Sequence, residues 1–123
     1  MATSIVTNVG LGLITALLAA SDHKYVTWGT DGTEAAATDT DMGAESAEDR
    51  TSGTQSQQTT TTSNDTYRCV GEITATDTRA IQEVGIFSAS SGGSMLMHAN
   101  FATINLSSGD SIEFTINSVL DQA

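Results

Sequence analysis

Apolar and polar residues alternate most cleanly near the end of the chain, where Ile112, Phe114 and Ile116 are separated by Glu113 and Thr115 and flanked by Ser111 and Asn117. A period of two is the signature of a strand with one face buried and one face wet. Upstream lie three further apolar runs of strand length: Ile81–Phe87, Met95–Met97 and Phe101–Leu106. Ser90-Ser91-Gly92-Gly93 predicts a hairpin loop, and Ser107-Ser108-Gly109-Asp110 a turn into the last strand. Residues 81–116 therefore read as one compact antiparallel β unit. The apolar residues of 79–89 do not alternate, which predicts a strand covered on both faces. Tyr67–Ala75 predicts another strand, with Tyr67, Cys69, Gly71 and Ile73 on one side. Tyr25–Gly29 predicts the first, closed by Thr30-Asp31-Gly32, and its Trp28 is the largest side chain available for burial.

Two segments break this pattern. Thr7 or Asn8 can cap a helix whose apolar positions are Val9, Leu13 and Leu17, with Ile14 and Leu18 on the adjoining row. Such a segment either packs on the core or anchors the chain to a neighbouring subunit. From Gly29 to Asn64 the composition is acidic and then almost wholly Thr, Ser and Gln, which is a disorder-prone mixture. Within it Thr59-Thr60-Thr61-Thr62 is β-branched and suited to an extended edge strand. The expected class is mainly β: an antiparallel sandwich or small barrel with an N-terminal helical segment and a long Ser/Thr-rich arm. The expected division is a helical anchor over 1–24 and a β domain over 25–123, with the acidic and Thr-rich connection at 30–64. The expected partner-binding residues are Val9, Leu13, Leu17, Thr59 and Thr61.

Charge narrows the choice of partners. Four Lys and Arg stand against 15 Asp and Glu, a formal charge of -11. Phosphate backbones require clustered basic residues, and Lys24, Arg50, Arg68 and Arg79 are scattered, so no nucleic-acid partner is expected. The same charge opposes docking on anionic membranes. Val9–Ala20 imitates the apolar core of a signal peptide, but no Lys or Arg precedes it, and it falls short of the roughly 20 residues that span a bilayer. We expect it to be retained, with no membrane partner. Only 38% of residues are apolar and 5% aromatic. That supply is thin against the about 1.5 kcal/mol of conformational entropy lost per ordered residue, so assembly is expected to supply part of the burial.

Candidate chemistry is sparse. Cys69 is the single cysteine and lies mid-strand, as a small buried thiol would. His23 and His98 lack the spacing of zinc ligands. Asp39-Thr40-Asp41-Met42-Gly43 only loosely matches a calcium loop, because its glycine is misplaced and the distal glutamate is absent. Asn64-Asp65-Thr66 fits a glycosylation sequon without any sign of secretion. No catalytic, cofactor-binding or metal-ligating residue is assigned, and an enzyme is not expected.

Taken together, several blocks resemble small structural proteins of tailed bacteriophages. They are Tyr25–Thr30 with Glu34–Ala37, Gly43-Ala44-Glu45 with Arg50-Thr51, and Thr59–Thr62 leading into Asn64–Tyr67. Ile81–Phe87, Asn100–Leu106 and Gly109–Ile116 complete the set. The C-terminal blocks alone are similar to modules of phage tail fibres and baseplates. The Trp28-Gly29-Thr30 block with its acidic loop is similar to capsid decoration (cement) proteins. That second resemblance implies a virion protein on the capsid exterior, assembled in the host cytoplasm. It would bind the major capsid protein and itself, as a homotrimer, across joints between capsid subunits. The alternative implied by the first is a tail-fibre, tail-tip or baseplate component.

Overall fold

The computed structural model describes residues 4–120. Its elements are α1 (Asn8–Ala19), β1 (Tyr25–Gly29), β2 (Thr51–Ser52), β3 (Thr54–Gln58), β4 (Thr66–Thr74), β5 (Arg79–Phe87), β6 (Met95–Leu106) and β7 (Ser111–Val119). Two antiparallel sheets form a sandwich, one in the order β2-β1-β5-β6 and the other β3-β4-β7. The expected class is thus observed as an open sandwich; the strands do not close into a barrel.

Tyr67, Cys69 and Ile73 of β4 point inward, as their alternation predicts, and meet Val26 and Trp28 of β1 and Ile81, Val84 and Ile86 of β5. Trp28 is fully buried and stands edge-on to Phe114 of β7, with ring centroids 6.4 Å apart. The irregular pattern in β5 has a specific cause. Between the pairs Ile81–Ile104 and Glu83–Asn100 the register shifts, with three residues of β6 opposite the single Gln82; Ile81 faces the core and Glu83 is turned to the opposite face of the sheet. Both faces of β5 are then covered, and Glu83–Phe87 are all buried.

Residues 81–116 do not make one sheet. β6 pairs with β5, but β7 leaves for the other sheet and pairs with β4 along nine residues, from Thr66 opposite Val119 to Thr74 opposite Ser111. The turn decides this. Gly109 adopts a φ of 94°, and its N–H donates to Ala75 O while Asp110 O accepts from Ala75 N, each at 2.8 Å. Those two bonds tie the turn to the end of β4 rather than folding it back on β6. The runs at 95–97 and 101–106 also prove continuous, a single strand of 12 residues.

The Thr/Ser/Gln tract differs from expectation as well. Its strand is β3, directly before the four threonines, and Thr59–Thr62 is a bend instead of an edge strand. The Asp65 carboxylate accepts the N–H groups of Thr60, Thr61 and Thr62 at 2.9, 3.0 and 2.9 Å, which curls the four threonines around it. At the other end of β3, Gly53 carries the chain from one sheet to the other, its N–H donating to Lys24 O at 2.8 Å. A β-carbon there would strike Cys69 Sγ and the carbonyls of Lys24 and Val70. This continuous crossing closes one side of the sandwich.

Candidate interaction surfaces

Three features of the molecule carry chemistry or contact surface: the helix, a carboxylate–histidine group, and an arginine clamp. The helix begins at Thr7, whose hydroxyl accepts the Gly10 N–H at 3.0 Å. Leu11 and Thr15 are its buried residues, and Leu18 and Ala19 pack against the core cluster. Polar side chains from β3 hold it in place. Gln57 Nε2 donates to Gly12 O and Thr15 Oγ1, both at 2.8 Å, and Gln55 Nε2 donates to Ala19 O and Ser21 O. Thr15 Oγ1 in turn lies 2.7 Å from Asn64 O.

The row expected from the sequence lies on the other side. Val9, Leu13 and Leu17 are 76%, 62% and 73% exposed, with Ile5 and Val6 continuing the patch toward the N-terminus. No charged residue occurs between positions 4 and 21. Val9 and Leu13 also line an open groove with Gly12, Gln57 and Asn64. Thr59 and Thr61 are exposed in the neighbouring bend but do not line that groove. The structure therefore brings three of the five expected contact residues into one patch and leaves the two threonines beside it.

The carboxylate–histidine group was not legible in the sequence, because its members lie 15 and 59 positions apart. Glu83 is fully buried and accepts the backbone N–H groups of Asp31, Gly43 and Ala44 at 3.0, 2.9 and 2.8 Å. His98, opposite Gly85 on β6, places Nε2 2.9 Å from Glu83 Oε1 and Nδ1 2.7 Å from Asp39 Oδ2. Burial pushes the Glu83 carboxyl pKa up, but the bonds from Gly43, Ala44, His98 and Asp31 outweigh it and hold it below the usual range. Burial would lower His98, yet its bonds to Asp39 and Glu83 raise it above 6.5. The N–H of Ala36 first, and then His98, lower Asp39. Every partner here is occupied in fastening residues 31–44 over the outer face of sheet β2-β1-β5-β6. Met42 is the apolar rivet of that strap, buried above Gly85.

Glu48 and Arg50 extend the same fastening. Glu48 accepts from Trp28 Nε1 at 2.9 Å, from Thr76 N at 3.0 Å and from Arg79 Nε at 2.9 Å. Burial acts against its charge, but the bonds from Thr76, Trp28 and Ser46 keep its pKa far below the ordinary one. Arg50 lies over the Phe87 ring at 3.9 Å, forks onto both oxygens of Glu45, and donates to Ala89 O and Gly92 O. Part of the acidic stretch is thus a fitted layer, with Asp39, Glu45 and Glu48 paired to His98, Arg50 and Arg79, while Glu34, Asp41 and Asp49 are exposed. His23 Nδ1 is buried without a partner, and we have no physical account of it. Among the described residues no group of three or more His, Cys, Asp and Glu side chains is arranged to hold a metal ion, and no helix is long and apolar enough to cross a membrane.

The family model described as podophage GP4 fiber I protein gp80 matches residues 8–120, nearly the whole chain. No curated protein matches it. The match supports a bacteriophage structural protein of the fibre kind, carried in the virion. It also corrects the capsid-decoration expectation: the matching family is a fibre family, so the block around Trp28 and the acidic loop, on which that expectation leaned, does not mark a cement protein.

Proposed function

Because the chain belongs to the family of the podophage GP4 fiber I protein gp80, we propose that it is a structural subunit of a phage fibre, acting by protein–protein contact and without catalysis. The observation that carries the contact is the exposed row of Val9, Leu13 and Leu17. Soluble monomers seldom expose large side chains side by side, and contiguous apolar patches mark surfaces that are covered in use. Elsewhere the molecule carries an excess of 11 negative charges, whereas this segment carries none. The occupant is the apolar surface of another fibre protein, against which the helix presents anchors four residues apart. The absence of catalysis is supported by how the ionisable groups are spent, since Glu83 is hydrogen-bonded to the strap backbone and His98 is held between Glu83 and Asp39.

The test is incorporation. Phage carrying Val9→Ser, Leu13→Ser and Leu17→Ser together is assembled, and the copies per particle are counted by quantitative mass spectrometry. A sharp loss of copies, with the purified variant still folded by circular dichroism, is expected. Full incorporation, or wild-type copies recovered with tailless capsids instead of fibres, overturns the proposal.

A further inference from the structure

The sandwich is closed along one side and, beyond the turn at 107–110 that joins β6 to β7 at one end, open along the other. At Gly53 the chain passes directly from β2 to β3 and joins the two sheets. At the opposite side the sheets end in β6 and β7, each paired along one edge only. Between them the core is incompletely covered. Phe101 and Phe114, with centroids 6.1 Å apart, are half-buried, as are Ile112 and Ile116. Ile104 is the sharpest case. Its cross-strand partner Ile81 is fully buried, so Ile104 points to the core face, yet it is 39% exposed.

Free edges of this length are normally guarded by lysine, proline, inward-pointing charge or a bulge, and of these β6 carries the bulge opposite Gln82. Here β6 and β7 together contain no Lys, no Arg and no Pro; the whole chain lacks proline. They hold a single carboxylate, Glu113, in a protein with 15. Two equally charged copies of this chain can approach closely only where that charge is missing. A single added strand would satisfy one edge and leave the other bare. A second copy brings a matching pair of bare edges, one per sheet, at the same spacing.

We propose that the open side between β6 and β7 is a self-association surface, at which a second copy of this chain pairs its own β6 and β7 edges and covers Phe101, Ile104 and Phe114. This rests on the reading of the chain as one subunit of an assembly, and it names the partner as the chain itself. Pairing of this kind is isologous if two copies close on one another.

The experiment uses the purified full chain. Sedimentation and amide hydrogen exchange are followed between about 1 and about 100 µM, a range over which mass action fills a micromolar dimer. The expected result is a concentration-dependent oligomer, with exchange slowed about tenfold or more in β6 and β7 and unchanged in β4. The variant Ile104→Lys, whose ammonium can reach solvent through the open side, is expected to stay monomeric with its melting transition preserved. A monomer throughout the range overturns the proposal. So does an oligomer whose protected amides lie in α1, or one that Leu13→Ser dissolves and Ile104→Lys does not. None of these outcomes touches incorporation through the helix, which the virion count measures separately.

Discussion

Glu83 accepts three backbone N–H groups and a histidine while almost wholly out of water, so its removal strands four donors at once. Breaking a buried charged group away from its partners costs about 3–5 kcal/mol. Glu83→Ala is expected to lower the free energy of unfolding by that order in urea titrations, with residues 31–44 becoming protease-sensitive. His98 gives a pH signature. Its folded pKa lies above its ordinary 6.5, so its contribution is complete below 6.5 and is lost as pH rises through the raised value. Asp39 and Glu83 are the acidic groups that raise it, and His98 in turn lowers Asp31. Their own pKa values are lowered, so their contributions hold above 3.8 to 4.5 and fade as pH falls through the depressed values. The urea midpoint is therefore expected to decline as pH rises from 6.5 through the raised His98 value, and His98→Gln to flatten that decline. A midpoint that falls equally in both proteins would assign the effect elsewhere.

The helix has one buried and one exposed apolar face. Leu11 is 3% exposed and Leu13 is 62% exposed, although both are leucines in the same uncharged stretch. Leu11→Ala should cost about 2–5 kcal/mol in chemical denaturation, because it empties a packed site. Val9→Ser, Leu13→Ser and Leu17→Ser should each change stability by no more than about 0.5 kcal/mol. The reverse order would mean that the helix binds the sandwich by the other face. The sequence could not choose between these faces, since apolar residues surround the helix and no moment singles out a side. What chooses is Gln55 and Gln57, whose amides reach the helix carbonyls from β3. Their signal was present in the Gln-rich run, but it was indistinguishable from a solvated tract until pairing with β4 turned them toward the core face. The four threonines failed as a strand for the same kind of reason. Their β propensity is real, but Asp65 captures three of their N–H groups before a neighbouring strand can.

At the scale of the molecule, the crossing at Gly53 sets which side of the sandwich is sealed. Gly53→Ala would press a methyl group onto the Cys69 sulfur and two carbonyls, and overpacking of that sort costs about 1–3 kcal/mol. A lowered melting temperature is expected, together with faster exchange in β2 and β3; an unchanged melt would show that the sheets are not joined so tightly there. The opposite side is joined only by the turn at 107–110, and along the rest of it the outer edges of β6 and β7 have no partner strand among the described residues and Ile104 is left in view of solvent.

Period-two alternation located β4 and β7, and turn residues located the loops between strands, because both are local properties of the backbone. The acidic balance and scattered basic residues likewise limited the partners from composition alone. The folded chain alone decided which strands pair, which helix face is buried, and that Asp39, Glu83 and His98 meet. Each of those depends on contacts between residues far apart in sequence, and hydrogen-bond geometry and packing select them only once both sheets are in place.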